Sequence, residues 1–474
     1  MSRQQALASV YKGFDEGEFR RQLAARVAVR SDSQSGDGNA ELERYLTECI
    51  IPDLERLGFT WEIVANPEPG YGPLLLAERR EADAALCVLT YGHGDVVRGY
   101  DAQWREGLSP WQVTVEGERW YGRGTADNKG QHSVNLAALA AVIEARGGRL
   151  GYTIKLVLEM GEETGSPGLK AICEAYRERL AADLFIASDG PRLAADAPTL
   201  FLGSRGSFNF DLRLHARDGA HHSGNWGGVL ANPATRLANA WASLVDADGR
   251  ILVAGLRPPA IPAAVKQALA ALEVGTTPGD PALAEGWGEP GLTPAERLFA
   301  WNTLELLAFK AGNPEAPANA IPGEAYAHAQ LRYVVGSDQE NFLRHLRLHL
   351  DACGFDDVEV SAARVSQMRA TRLDPDDPWV GWALDSIHAS SGKAPTLLPN
   401  LGGSLPNDVF AETLGLPTLW VPHSYPACSQ HAPDEHALAS ILREGLGIMA
   451  GLWWDLGEQG ASVHAARTAA RRNA

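Results

Sequence analysis

Cysteine is scarce in this chain. Five residues (Cys49, Cys87, Cys173, Cys353 and Cys428) are scattered through 474 positions, odd in number and without a C-x-x-C pair, which argues against a disulfide framework and against a thiolate zinc site. Basic charge is also short, with 42 Lys and Arg against 59 Asp and Glu and a net charge of -17. A field of that sign repels phosphate backbones and anionic bilayers, so neither nucleic acid nor a membrane is expected as a partner. It leaves carboxylates free for cations. No apolar run is long enough to span a bilayer. Met1 to Arg30 is polar, with acidic residues inside it, and lacks the apolar core of a signal peptide. A cytoplasmic location is the expectation. What is present, 45% hydrophobic and 21% charged residues, is the composition of a globular enzyme, and the length calls for two domains.

Short apolar runs alternate with helix-like stretches in the first part of the chain. Ala85–Thr90, Ile154–Leu158 and Leu184–Ala187 read as buried parallel strands, and Ser133–Arg146 has helical spacing that stops at Gly147-Gly148. This is the βα alternation of an α/β fold with a mostly parallel central sheet. After Asp189 the pattern changes: Ser207–His215 and Tyr326–Val335 alternate apolar and polar residues as half-exposed strands do. Between them, Pro258–Pro290 is rich in Pro, Ala and Gly, with a helix expected near Ile261–Leu272. Thr293-Pro294-Ala295-Glu296 opens another helix with a capping box. Thr418–Val421 brings strand character back. The expectation is a catalytic domain from residues 1–202 and 371–474, interrupted by an inserted α+β domain over 203–370. From about Ala461 the chain is rich in Ala and Arg, with no apolar periodicity.

Four strand-like runs end in metal-ligand residues: His93 and Asp95, then Glu162-Glu163, then Asp189, and finally a loop with His431. Ligands of open α/β sheets bind at the carboxyl ends of the strands. Asp127, in Gly122-Arg123-Gly124-Thr125-Ala126-Asp127, stands just ahead of a helix N-terminus, where negative charge is favoured. Two histidines and three carboxylates without cysteine suit two divalent ions, zinc above all, with manganese or cobalt as substitutes. Two ions sharing a carboxylate fall within reach of one bridging hydroxide. Asp95, two residues after His93 on an extended segment, is placed to hold the imidazole N–H. Glu162 and Glu163 diverge, so one can ligate metal while the other takes a proton from water.

GHGDVV, YGRGTADNKG, EMGEETGS, the Asp of SDG and the late QHAPDE resemble the signature run of the co-catalytic di-zinc metallopeptidases. That family includes acetylornithine deacetylases, succinyl-diaminopimelate desuccinylases, aminoacylases, glutamate carboxypeptidases and carnosinase-type dipeptidases. The motifs stand in family order from Gly92 to Glu435. The resemblance implies that Asp127 bridges the ions, that His93 and Asp189 complete one and Glu163 and His431 the other. It makes Glu162 the general base, Asp95 the residue that orients His93, and the inserted domain a lid that also forms a homodimer. His222 then resembles the lid histidine that stabilises the oxyanion, often from the partner subunit. Asn319 and Arg332 resemble substrate contacts, and Gly402-Gly403-Ser404 the glycine-rich substrate loop. Many dipeptidase-like members carry an arginine two residues before that glycine pair; here Asn400 stands there as the candidate contact. The length of the lid around Pro258–Pro290 points instead toward the carnosinase-like members.

The function implied is hydrolysis of an amide or peptide bond in a small substrate, as a dipeptidase or carboxypeptidase. Removal of an acyl group from an amino acid needs the same parts and stays open, as does a non-catalytic metal-binding protein on the same fold. Asp95 as a turn residue, Arg332 as a surface strand residue and Asn319 as a turn former are the competing readings of those positions.

Overall fold

The computed structural model describes residues 2–35, 40–276, 280–363 and 368–473. Twelve strands carry the description: β1 (Thr60–Val64), β2 (Leu74–Arg79), β3 (Cys87–His93), β4 (Thr153–Glu159), β5 (Leu184–Ala187), β6 (Thr199–Phe201), β7 (Gly206–His215), β8 (Thr303–Ala311), β9 (Glu324–Tyr333), β10 (Glu359–Ala362), β11 (Thr396–Leu398) and β12 (Thr418–Trp420). The larger sheet runs β1-β2-β4-β3-β5-β12-β6-β11. Its centre, β4-β3-β5-β12, is parallel throughout, and antiparallel pairs flank it at β1/β2, β2/β4 and β12/β6. β4 and β5 are buried along their whole length and β3 in all but its first residue. Strands covered on both faces need continuous apolar runs, which is why these segments lack alternation in the sequence.

Helices Arg3–Asp15, Lys129–Ala145, Pro378–Ser391 and Ala439–Asn473 pack together over one face of this sheet, around a core that includes Leu139, Val142, Trp379 and Trp453. The other face buries Tyr91, Phe185, Phe201, Phe410 and Trp420 against Leu169–Ala175 and Pro294–Ala300. No helix among the described residues is long and apolar enough to cross a membrane.

A second sheet, β8-β9-β7-β10, is antiparallel throughout. β7 and β9 alternate buried and open positions, as expected of a sheet with one covered face. Phe208, Phe210, Leu212, Leu331 and Tyr333 point into a separate core closed by helices Pro233–Leu244 and Phe342–Ala352. The opposite face carries cross-strand pairs Ser207–Arg332 and Asn209–Gln330. The chain passes between the two sheets at Gly203–Ser204 and Thr371–Arg372, which pair antiparallel.

The expected strands end within three residues of those observed, Leu184–Ala187 coinciding, and the expected mostly parallel α/β sheet is present. The helix expected near Ile261–Leu272 spans Ala263–Leu269. The Thr293 capping box forms in both directions, Glu296 N–H to Thr293 Oγ1 and Thr293 N–H to Glu296 Oε2. The segment after Ala461 corrects the sequence reading, because it continues the Ala439–Asn473 helix. Alanine and arginine favour helix without any apolar stripe, and Arg467, mostly buried, donates to Asp377.

Candidate active site

The four adjacent parallel strands end side by side, and each delivers a functional group there. His93 is the last residue of β3, Glu162 and Glu163 form a short turn after β4, Asp189 follows β5, and the loop beyond β12 carries His431. Asp127 comes from the loop that enters the Lys129–Ala145 helix through a cis Asp127–Asn128 peptide. That loop turns tightly, since a Cβ at Gly130 would run into the Thr125 carbonyl oxygen. Its backbone is pinned by Glu435, whose Oε1 accepts the N–H groups of Gly124, Ala126 and Asp127 at 3.0–3.1 Å. Glu435 Oε2 takes Arg123 Nη1 at 2.8 Å, with both side chains buried.

Asp127 stands between the two histidines. Its Oδ1 is 3.1 Å from His93 Nε2 and its Oδ2 is 3.0 Å from His431 Nε2. Asp189 Oδ2 lies 3.6 Å from His93 Nε2, and Glu163 Oε2 lies 3.0 Å from His431 Nε2. The five residues thus form two triads that share one carboxylate. Potential ligand atoms of His93, Asp127 and Glu163 all lie within 4.8 Å of one another. Gln430 Nε2 also donates to Asp127 Oδ2 at 2.5 Å.

The electrostatics of the cluster call for positive charge. Burial pushes the Glu163 carboxyl up to about 7 and that of Asp189 up to about 6, the Asp127 charge adding in each case. Burial also acts on Asp127, but the imidazoles of His431 and His93 outweigh it and hold this carboxyl well below its usual range. Hydrogen bonds to Asp127 and Glu163 push His431 up to about 11. Asp189 Oδ2 is buried without a hydrogen-bond partner, an arrangement that costs free energy unless a cation or donor meets it. The donor set and this orphaned oxygen fit a pair of divalent ions.

Asp95 is fully buried and does more than face His93. Its carboxylate accepts the backbone N–H groups of Glu162 (3.2 Å) and Glu163 (3.1 Å) and the Ser33 hydroxyl (2.7 Å). His93 Nδ1 is 3.1 Å from the Asp95 carbonyl oxygen and 3.4 Å from its Oδ1. One residue therefore ties the His93 strand to the Glu162-Glu163 turn.

A cavity of about 930 Å³ opens over the cluster, lined by Asp127, Glu162, Asp189 and His431 on one side. The polar face of β7 and β9, with Ser207, Asn209, Gln330 and Arg332, lines another side, together with Gly402, Gly403 and Ser404. Leu298, Phe299, Leu398 and Leu401 form an apolar wall. Glu162 faces this space while its neighbour Glu163 turns to His431. Burial raises the Glu162 carboxyl well above its ordinary value; His93 opposes this, and the charges of Glu163, Asp189 and Asp127 add to it.

Three expected contacts stand elsewhere. Asn400 is fully buried outside the lining, and its amide donates to the Phe299 carbonyl at 2.5 Å. His222 and Asn319 are exposed and adjacent to each other, His222 pairing with Ala320 and the Asn319 carbonyl accepting the Ser223 N–H, but neither lines the cavity. Conversely, the sequence reading passed over Arg205, which lines the cavity, and gave Glu435 no task. Glu435 had one signal, its place four residues after His431. Arg205 had none, since a basic residue between Ser204 and Gly206 resembles any turn.

A model of peptidase family M20/M25/M40 matches residues 89–455. The cysteinylglycine-S-conjugate dipeptidase of Corynebacterium striatum is 26% identical over 392 residues, 81% of this chain and 82% of that protein. The Beta-Ala-His dipeptidase of Homo sapiens is 31% identical over 268 residues, 53% of this chain and 52% of that protein. Among solved structures, the di-peptidase Dug1p of Saccharomyces cerevisiae superposes with a TM-score of 0.78 at 20% identity, covering 97% of this chain and 99% of that one.

Proposed function

Because the chain belongs to peptidase family M20/M25/M40, and is a metal-dependent peptide hydrolase, we propose that it cleaves dipeptides or similarly small amides in the cavity above β3, β4, β5 and β12. The observation that carries this is the sharing of Asp127 between His93 and His431 with Glu162 facing the same space. His93 and Asp189 would hold one ion and Glu163 and His431 the other, with Asp127 common to both. Zinc suits this set, and manganese or cobalt can replace it. Such ions supply Lewis acidity toward the scissile carbonyl and acidify water.

Glu162 accepts the proton of the attacking water. Burial among like charges makes its carboxylate a stronger base than a solvated one. The same carboxyl, now protonated, then delivers that proton to the leaving amine. Asp95 keeps His93 and the Glu162-Glu163 turn in register. Arg332 from the lid and Ser404 from the catalytic body, joined by a 2.6 Å hydrogen bond, orient the substrate. Residues 203–370 act as lid and homodimer contact on a catalytic body of residues 1–202 and 371–474. His222 and Asn319, outside the lining of the cavity of their own chain, serve the partner's cavity, where His222 stabilises the oxyanion. The five thiols are free, in keeping with a cytoplasmic setting.

Deacylation of N-acyl amino acids is the second reading, favoured by the apolar wall of Leu298, Phe299, Leu398 and Leu401, which suits an acyl chain. Hydrolysis of a panel of dipeptides and N-acyl amino acids, by protein stripped of metal and reloaded with zinc or manganese, decides between them. Metal-dependent cleavage confined to dipeptides is the expected result; cleavage of acylated amino acids alone makes the chain a deacylase. No cleavage of any amide, with two ions bound, would overturn both.

A further inference from the structure

The lid side of the cavity holds two guanidinium groups that no carboxylate neutralises. Arg205 is 6% exposed and Arg332 partly buried, and both line the cavity. Neither forms an ion pair among the described residues, and neither has a partner beyond those stated here. Arg205 Nε donates to the Gly402 carbonyl at 2.7 Å, and its Nη1 reaches Thr303 Oγ1 at 3.5 Å. Arg332 Nε donates to Gln330 Oε1 at 2.9 Å, and its Nη1 to Ser404 Oγ at 2.6 Å. The Nη2 groups of both are left without an acceptor among the described residues.

We propose that Arg205 is a specificity-determining residue, which with Arg332 binds the free carboxylate of the substrate through their two open Nη2 groups. The proposal rests on the reading of the cavity as the site for a small peptide or acylated amino acid. A buried, unpaired guanidinium is costly, and two of them side by side cost more. Burial, with Arg332 adding its charge, pushes Arg205 down to about 10. The charge of Glu305 acts on Arg205 from beyond ion-pair distance, and no carboxylate acts on Arg332. An anion is what this end of the cavity is short of, and two donors on planar forks match the two oxygens of one carboxylate.

The location also accounts for Asn400. That side chain is turned to the Phe299 carbonyl and offers no cation to the cavity. Arg205 reaches the same glycine loop from the segment that links the two sheets and places its guanidinium on Gly402. Ser404 closes the arrangement, donating to the Arg205 carbonyl at 2.7 Å while accepting from Arg332. The positive charge missing at position 400 is thus supplied from 195 positions earlier in the chain. The apolar wall beside the loop would take the side chain next to the carboxylate.

The test is calorimetric binding of N-acetylleucine and of its carboxamide to zinc-loaded protein in the Glu162→Gln background, so that the probe survives. The parent is expected to bind the carboxylate roughly tenfold or more tightly than the carboxamide. Arg205→Gln, which keeps a donor for Gly402 and removes the charge, is expected to abolish that preference and leave carboxamide affinity unchanged. A parent without the preference, a variant that retains it, or equal weakening of both probes would overturn the proposal, the last because it marks a purely structural tether. If Arg205→Gln does not fold, Arg205→Lys answers instead: a reduced preference supports the proposal and an unchanged one overturns it. Wild-type protein that shows the preference but hydrolyses no amide would remove the hydrolase reading and leave Arg205 in its role. Turnover without the preference would do the reverse.

Discussion

At the scale of single residues, the two adjacent glutamates have separate fates. Glu163 meets His431 and Glu162 faces the cavity, so Glu162→Gln is expected to lower kcat by about 10²- to 10⁴-fold while both ions stay bound. Turnover near the wild-type rate with two ions retained would remove Glu162 from its proposed task. Asp95 is a different kind of residue, since it fixes others and faces no substrate. Asp95→Ala frees the N–H groups of the Glu162-Glu163 turn and removes the carboxylate beside His93, leaving the imidazole the backbone carbonyl at position 95. Metal affinity measured against a chelator should fall about 10- to 100-fold, and unchanged affinity for both ions would show that the backbone and Gln34, whose amide donates to the Glu163 carbonyl, hold the turn unaided. The ligand-type residues could be read in the sequence because imidazoles and carboxylates at strand ends have few other reasons to be there. Arg205 could not, because its meaning lies in having no carboxylate partner among the described residues, which only packing reveals.

At the scale of elements, the loop that carries Asp127 depends on a carboxylate from the other end of the chain. Glu435 accepts three of its backbone N–H groups and pairs with Arg123 where both are buried. Glu435→Gln leaves the Arg123 charge unpaired in the interior, which should cost about 3–5 kcal/mol in chemical denaturation. A loss below about 1 kcal/mol would mean that Trp104, whose ring lies 5.7 Å from the Arg123 guanidinium, suffices to shield it. The strands of the larger sheet were legible because continuous apolar runs bounded by glycine have one natural reading, and β7 and β9 because alternation has another. The last turns of the Ala439–Asn473 helix were not, since the sequence pattern sought was an apolar stripe and the helix there rests on propensity and on Arg467. The Asn400 position was misjudged for a related reason: the chain around it is a loop, and a loop side chain can point either way without leaving a period in the sequence.

At the scale of the whole molecule, the open question is how many chains make one site. His222 and Asn319 lie together on the surface and do not line the cavity of their own chain. If they complete the cavity of a second copy, a one-to-one mixture of Glu162→Gln and His222→Ala proteins, each inactive alone, should recover about a quarter of wild-type activity after subunit exchange, because half the dimers are hybrids with one intact site. No recovery in a mixture shown by sedimentation to contain hybrids would place His222 outside catalysis.

The strand order has a further consequence during synthesis. β12 sits between β5 and β6, which precede it by more than 200 positions. A ribosome that has released the first half of the chain has therefore released a sheet with its central slot open, a row of unpaired amide and carbonyl groups. The β7–β10 sheet, complete by residue 362, can fold on its own schedule while that slot waits. Only after Trp420 has left the exit tunnel can the gap close, and His431 follows eleven residues later. The nascent enzyme is thus at its most aggregation-prone just before His431, the last residue of the cluster, is made, and a chaperone that shields the slot, or slow translation after residue 362, would govern its yield in the cell.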